Sequence, residues 1–305
     1  MIDEGVQEGG ARMKIGLHLC EQLIGSDPGV VRDYAVIADE LGFDHITCVD
    51  HVLGTEHANR NPPFAEDGIY SEESEFHEPL TLFAFMAALT SRIEFCTSVI
   101  VLPQRQTALL AKQTAEIALL SDYRLRLGVG SGWNYVEYEA LGANFRTRGR
   151  MLEEQVLLLR RLWTEEILDV DTDLHRFDRA GINPRLYRPV PIWFGGFSEV
   201  QMDRCARIGD GMLWSRDSSY ARRNNEFILK RAAEVGRDPA SIGLQAPMAP
   251  KPGQSLADAL EQWERAGGTH AAVGGPHREE GPRGRELLDE LPRLREEVGD
   301  LIPAS

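Results

Sequence analysis

The strongest constraint on the fold is a regular alternation of eight short apolar segments with eight longer amphipathic ones. Short apolar segments bounded by turn residues predict strands, and apolar residues spaced three and four apart predict helices. Strands that alternate with helices form parallel sheets, and eight such units make a (β/α)8 barrel. The strand candidates are residues 14–19, 45–49, 93–100, 125–129, 191–194, 211–214, 242–245 and 270–273.

The helix candidates fill the intervals between these strands. The clearest carries an apolar stripe of Leu152, Val156, Leu159 and Trp163, which is typical of a core-facing helix. The other helix candidates are residues 32–41, 79–89, 106–120, 199–207, 220–235, 256–266 and 285–298.

The chain length and two long interruptions complete the predicted architecture. At 305 residues the chain has the length of two average domains, but it also fits one barrel with insertions. Residues 54–77, after strand 2, and about 165–189, before strand 5, are too long for ordinary barrel loops. We predict an α/β fold, a single (β/α)8 TIM-barrel domain at 13–300 with insertions at these two places. The first insertion is acidic and follows a strand end, so both a lid and a solvated insertion remain open.

Composition excludes several classes of function. The net charge of −15 opposes binding to a phosphate backbone, so nucleic acid is not an expected partner. No apolar run approaches the ~18 residues of a membrane span, and residues 1–12 lack a signal core, so we expect a disordered leader and a cytoplasmic protein. The four cysteines are far apart with no Cys-x-x-Cys pair, so neither a disulfide framework nor a metal site is predicted.

The fourth strand candidate runs into a turn rich in glycine. Gly128, Gly130 and Gly132 alternate along it and are followed by Trp133 and Asn134. The third glycine of a Gly-x-Gly-x-x-Gly dinucleotide fingerprint would fall at position 133, so the Rossmann interpretation fails. The residues themselves leave two alternatives open, a tight strand-to-helix turn without a ligand and a cradle for a flat ring or an anionic tail.

Other strand ends carry groups suited to proton transfer and to ring binding. Asp50 and His51 end strand 2 at the predicted carboxyl-terminal mouth, where an imidazole can give or take a proton near neutral pH. They are our catalytic candidates, and the alternative is a capping aspartate beside an ordinary histidine. Thr97 or Ser98, in strand 3, can offer a hydroxyl to a heterocycle.

Two segments suggest binding of an anion. Gly195 and Gly196 precede Ser198 at the start of a helix, whose first amides are free to meet a phosphate. Ser198 also fits an ordinary N-cap, and the two roles are compatible. Arg150 lies in the first turn of another helix with two further arginines just before it. Cations oppose the dipole there, so a nearby anion explains them better than helix stability does.

No Ser-His-Asp order, paired-carboxylate motif or His-x-x-x-His pair is present, which favours the chemistry of an organic cofactor. Asp50-His51, 97–99, Pro103 with Arg105, the glycine turn and 191–196 occur in an order that resembles the bacterial luciferase-like monooxygenase superfamily. Within it, the chain is similar to the branch that depends on the deazaflavin coenzyme F420. The best-matched stretches are 105–113, 127–134 with Glu137, and 208–211.

The resemblance implies a TIM barrel with a deazaflavin ring across the carboxyl-terminal mouth and hydride transfer to or from a small organic substrate. His51 would exchange the proton and Asp50 would lie near the ring. Ser98 and Val99 would be joined by a non-proline cis peptide beside it. The remaining candidate cofactor residues are Gly130, Gly132, Trp133, Asn134, Arg150, Gly195, Gly196 and Ser198.

Three further expectations come with the resemblance. Flavin mononucleotide (FMN), in a monooxygenase, is the alternative cofactor, and a barrel that binds a cofactor or metabolite without turnover is the second alternative. Trp133 stands where sugar-phosphate dehydrogenases of the superfamily carry a carboxylate, so a sugar phosphate is not the expected substrate. A homodimer is expected, with helices 79–89 and 106–120 as the usual contact.

Overall fold

The computed structural model describes residues 12–58, 70–215, 218–250, 252–274 and 281–303. Most of the predicted leader, residues 1–11, and residues 59–69 of the first predicted insertion lie outside this part of the chain. Within it, no helix is both long and apolar enough to cross a membrane.

Eight parallel strands close into a barrel, which confirms the predicted fold. In the sheet, β1 lies between β2 and β11, and pairing of β3 with β5 closes the barrel. Every predicted barrel strand is present, and the third is divided into β3 and β4. The strands are β1 (Lys14–His18), β2 (His45–Cys48), β3 (Glu94–Thr97), β4 (Ile100–Val101), β5 (Leu125–Gly130), β6 (Leu168–Asp171), β7 (Arg176–Ala180), β8 (Ile192–Gly196), β9 (Gly211–Trp214), β10 (Gly243–Pro247) and β11 (His270–Val273).

Helices cover the outside of the barrel and begin where capping side chains allow. The first predicted helix starts earlier than its apolar stripe suggests, at Pro28, because Asp27 accepts a hydrogen bond of 2.8 Å from the Gly29 amide. The predicted helix 285–298 is divided at Asp289. The helices are α1 (Glu21–Ile24), α2 (Pro28–Glu40), α3 (Pro79–Ala87), α4 (Thr107–Leu120), α5 (Tyr135–Ala140), α6 (Arg148–Thr164), α7 (Glu199–Ile208), α8 (Ser218–Glu234), α9 (Leu256–Arg265), α10 (Arg285–Leu288) and α11 (Glu290–Val298).

The insertion before the fifth barrel strand contains an antiparallel hairpin of β6 and β7 that the sequence analysis did not predict. Its strands are rich in charged residues, which weakens the alternation that identifies strands. His175 anchors the hairpin to the barrel helices. Its Nδ1 lies 2.8 Å from Glu154 on α6, and its Nε2 lies 2.7 Å from Thr107 on α4. The insertion therefore supports the side of the barrel.

The glycines of β5 and of the turn after it lie against the neighbouring third barrel strand. A Cβ on Gly128 would overlap the carbonyl oxygen of Thr97, and one on Gly132 would lie 2.6 Å from Cγ1 of Val101. Gly132 also has a φ of 60°, which other residues rarely adopt. The alternating glycines thus make room for an adjacent strand, independently of any ligand.

Two glycines also face Val99, which lies between β3 and β4. A Cβ on Gly130 would lie 2.5 Å from Cγ2 of Val99, and one on Gly195 of β8 would overlap its Cγ1. A larger residue at either position would therefore crowd a methyl group of the valine. Both glycines are therefore needed for the valine to reach the inside of the barrel.

This fit gives a first prediction. Gly130→Ala should lower the free energy of unfolding by about 1–3 kcal/mol, because the added methyl group overpacks against Val99. In a Val99→Ala background the same change should cost less than about 0.5 kcal/mol, because the opposing methyl groups are gone. Urea denaturation of the four proteins measures both values.

Gly149→Ala on α6 is the matched control. The nearest atom to its added Cβ is the flexible guanidinium of Arg204, at 3.0 Å, so stability should be kept or raised by helix propensity. Equal costs for Gly130→Ala in the two backgrounds would contradict the proposed fit.

Candidate active site

The carboxyl ends of the barrel strands surround a cavity of about 390 Å³. Each of the eight barrel strands contributes to its wall at or just beyond its end. Aromatic and aliphatic side chains make up much of the lining, and its polar groups are mostly hydroxyl and amide. Among the described lining residues there is no lysine or arginine. The cavity thus offers a largely apolar site at the position where TIM barrels carry their active sites.

His51 lies in the wall of this cavity in a fixed orientation. Its Nδ1 is 2.8 Å from Tyr70 Oη and 3.2 Å from Glu137 Oε2, and its side chain is 11% exposed. Its ring centroid lies 3.9 Å from that of Tyr70, 5.2 Å from Phe76 and 6.2 Å from Trp133. The structure therefore brings the predicted histidine to the cavity inside an aromatic cluster.

Glu137 holds this end of β2 in place from helix α5. Its Oε1 accepts hydrogen bonds from the Val52 amide at 2.8 Å and the Leu53 amide at 3.1 Å. Burial raises the pKa of Glu137, but hydrogen bonds from His51 and the two amides outweigh it and bring the pKa below its usual value. A carboxylate only accepts, so in the tautomer that donates to Glu137 the proton lies on Nδ1 and Nε2 retains a lone pair. In the other tautomer Tyr70 Oη, 2.8 Å from the same Nδ1, donates to it.

Asp50, the other catalytic candidate, is not among the residues that line the cavity. It is only 2% exposed. One carboxylate oxygen accepts from Arg105 Nη2 at 2.7 Å, and the other accepts from the Val101 amide at 2.8 Å. Arg105 also pairs with Glu78 at 2.9 Å. Asp50 therefore holds β4 and Arg105 in place, and it does not face the cavity.

The predicted ring-facing wall comes together as one surface. Ser98, Val99, Gly130, Gly132 and Trp133 all line the cavity. The peptide between Ser98 and Val99 is cis, as the resemblance implies. The glycine turn is therefore fitted to its neighbouring strand and also forms cavity wall. Its role as a ligand cradle stays a prediction.

The predicted anion segment also reaches the cavity. Gly195, Gly196 and Ser198 are lining residues, and Gly196 has a φ of 130°. The Ser198 hydroxyl caps α7 by accepting a hydrogen bond of 3.3 Å from the Gln201 amide. The cap and the cavity wall occur together, so the start of α7 points its first turn toward this site.

Two predicted cofactor residues lie outside the cavity lining. Asn134 is buried and caps α5, accepting from the Val136 amide at 3.1 Å, and its Nδ2 donates to Thr55 Oγ1 at 2.9 Å. Arg150 has a 63% exposed side chain, 3.8 Å from Asp173 in the hairpin turn. Asn134 thus positions the helix that carries Glu137, and the hairpin supplies the anionic group near Arg150.

Several groups in the cavity wall are not among the predicted site residues. Glu21 follows the end of β1, so the argument from strand ends that selected Asp50 and His51 would also have found it. Tyr70 and Phe76 belong to the first insertion, and only the tertiary structure shows that they turn toward His51.

Comparison with known proteins identifies the family of this chain. The family model for luciferase-like monooxygenases matches residues 14–305. An uncharacterised protein of Mycobacterium tuberculosis is 29% identical over 205 residues, which cover 67% of this chain and 71% of that protein. The F420-dependent glucose-6-phosphate dehydrogenase of Amycolatopsis mediterranei is 30% identical over 205 residues, which cover 66% of this chain and 57% of the enzyme.

A solved structure supports the fold. The coenzyme F420-dependent tetrahydromethanopterin reductase of Methanopyrus kandleri superposes with a TM-score of 0.70 at 14% identity, covering 94% of this chain and 99% of that one. With the family model matching nearly the whole described barrel, the chain belongs to the luciferase-like monooxygenase family, alongside its F420-dependent members.

Proposed function

We propose that the protein is an F420-dependent oxidoreductase that transfers a hydride to or from an organic substrate, with His51 as proton donor or acceptor. The observation that carries this proposal is His51 in the cavity wall, oriented by the buried carboxylate of Glu137. Curated relatives that depend on F420 support the choice of cofactor.

The residues present fit such a cofactor. Val99, Gly130 and Gly195 all line the cavity, and the two glycines present only backbone there, which suits a flat ring. Gly196 and Ser198, at the start of α7, suit the phosphate of its tail, because the first amides of a helix attract anions. When bound, the deazaflavin supplies or accepts the hydride.

The chain itself supplies the proton. With Nδ1–H directed to the acceptor group of Glu137, His51 can receive a substrate proton on Nε2 when an alcohol is oxidised. Protonated on both nitrogens, it can return that proton when a carbonyl is reduced. Tyr70, Phe76 and Trp133 pack around the imidazole and exclude water from it, which keeps this exchange directed toward the substrate.

Cofactor titration tests the proposal. Purified protein should bind F420 with micromolar or tighter affinity. Quenching of tryptophan fluorescence measures the binding, because Trp133 and Trp214 line the cavity. FMN should bind at least about tenfold more weakly. Binding of FMN alone would instead favour the monooxygenase, and binding of F420 without turnover of any substrate in a metabolite screen would favour the non-catalytic binder.

The role of His51 gives a separate prediction. His51→Ala should lower kcat by roughly 10²- to 10⁴-fold, because the proton acceptor is lost, while the Kd for F420 changes little. Steady-state kinetics and the same fluorescence titration measure the two quantities.

His175→Ala is a matched control, because its Nδ1 also contacts a glutamate, at 2.8 Å, and its side chain is also 11% exposed, yet it is not a cavity-lining residue. It should keep the wild-type kcat. An unchanged rate in His51→Ala, or an equal loss in both variants, would remove His51 from the mechanism.

We further propose that the chain forms a homodimer through α3 and α4, as the resemblance implies. These adjacent helices expose Phe85, Leu109 and Leu120, and Leu120 is 80% exposed. Apolar side chains grouped on neighbouring helices favour association.

A charged side chain introduced at the proposed contact tests the dimer. Phe85→Glu should shift the protein from dimer to monomer in sedimentation equilibrium, because a carboxylate would be buried at the contact. Phe227→Glu, at a similarly exposed phenylalanine on α8, should leave the dimer intact. A monomeric wild-type protein would refute the contact.

A further inference from the structure

Gln201 ties α7 to the end of β8 through both polar atoms of its side chain. Its Nε2 donates a hydrogen bond of 3.2 Å to the carbonyl oxygen of Gly195, and its Oε1 accepts one of 2.7 Å from Nη1 of Arg204. A carbonyl oxygen only accepts and a guanidinium only donates, so these two partners determine which amide atom is the nitrogen. Gln201 is buried and lines the cavity. Its side chain is therefore held in one orientation at the cavity wall.

Arg204 connects this amide to the neighbouring helix α6. Its side chain is 13% exposed, and its Nε lies 3.3 Å from Oε2 of Glu153. The other oxygen of Glu153 accepts a hydrogen bond of 2.7 Å from Arg207. Because α6 holds the guanidinium in this way, Arg204 can in turn hold Oε1 of Gln201. A chain of contacts thus runs from Glu153 through Arg204 and Gln201 to the Gly195 carbonyl.

The contact with Gly195 restrains the backbone where β8 ends. A peptide group is planar, so fixing the carbonyl of Gly195 also fixes the direction of the Gly196 N–H. Gly196 has a φ of 130°, and a Cβ there would lie 3.4 Å from Cγ of Gln201. The main-chain amide of Gln201 also donates to the carbonyl oxygen of Ser198 at 3.0 Å. One residue therefore restrains Gly195, Gly196 and Ser198, all of which line the cavity.

We propose that Gln201 is a positioning residue that holds Gly195, Gly196 and Ser198 in the conformation that binds the phosphate tail of the cofactor, and that Arg204 acts through Gln201. The role in tail binding rests on the proposed function. A turn that is already held in its binding conformation loses less freedom when the tail binds, so the benefit is in affinity. The ring contact depends less on Gln201, because Gly195 also pairs with Leu213 of β9.

Two ligands with the same ring test the role in tail binding. F420 carries the phosphate tail, whereas the deazariboflavin that forms its ring portion ends in a ribityl chain without phosphate. Gln201→Met keeps a side chain of similar length but has no N–H donor. It should weaken binding of F420 by about tenfold and of the deazariboflavin by less than about twofold, because only the tail meets the loosened turn. Quenching of tryptophan fluorescence measures both affinities.

Gln155→Met on α6 is the matched control. Gln155 is 1% exposed, and its Nε2 also donates to a backbone carbonyl, that of Arg105 at 2.9 Å, yet it does not line the cavity. Its F420 affinity should stay within about twofold of wild type, because the turn after β8 is untouched. An equal loss for both ligands in Gln201→Met, or an equal loss of F420 affinity in the two variants, would overturn the proposal.

A double-mutant cycle tests whether Arg204 acts through Gln201. Arg204→Met alone should weaken F420 binding by about threefold, and in the Gln201→Met background it should add almost nothing, because its partner is already gone. Losses that multiply would mean that Arg204 attracts the tail by its own charge, which would overturn its assigned role. If Gln201→Met does not fold, the two ligands are compared in Arg204→Met, where F420 alone should lose affinity.

Hydrogen exchange in the ligand-free protein tests the restraint itself. The backbone amides of residues 195–198 should exchange at least about tenfold faster in Gln201→Met than in wild type, and at the wild-type rate in Gln155→Met. Unchanged exchange in Gln201→Met would overturn the proposal. Failure of F420 to bind to the wild-type protein would refute the proposed oxidoreductase, but the exchange rates would still decide whether Gln201 holds this turn.

Discussion

The structure depends on the space that two glycines leave for one valine. Val99 follows β3 in the interrupted third barrel strand, and its methyl groups lie within 2.5 Å of where Gly130 and Gly195 would carry a Cβ. These glycines belong to β5 and β8, so the fit joins three strands where the cavity begins. Asp50 secures the chain two residues after Val99, because its carboxylate accepts a hydrogen bond from the Val101 amide. The same three strands therefore carry this contact and the adjoining wall of the cavity.

Much of the fold could be predicted from the sequence, because eight parallel strands buried on both faces leave short apolar runs between turn residues. The hairpin of β6 and β7 could not, since its strands are mostly exposed and charged and resemble a polar loop. The glycine turn was ambiguous for a related reason. Its spacing indicates that side chains are excluded, and only the tertiary structure shows that Thr97, Val99 and Val101 exclude them.

The sequence predicts those site residues that directly follow barrel strands. His51 reaches the cavity because residues that follow barrel strands meet at one mouth, and the same rule applies to Glu21. Charge was harder to interpret, because the partner of a charged group comes from elsewhere in the chain. Arg150 lies near Asp173 of the hairpin, and Arg105 is bound to Asp50.

We propose that the wall around Val99 holds a deazaflavin ring next to His51. A crystal structure of the protein with F420 bound tests this placement. We expect electron density for the ring against Val99, with the tail phosphate near Gly196 and Ser198 and with His51 on the substrate side. Density for F420 outside the cavity, or for a ring that does not contact Val99, would contradict it.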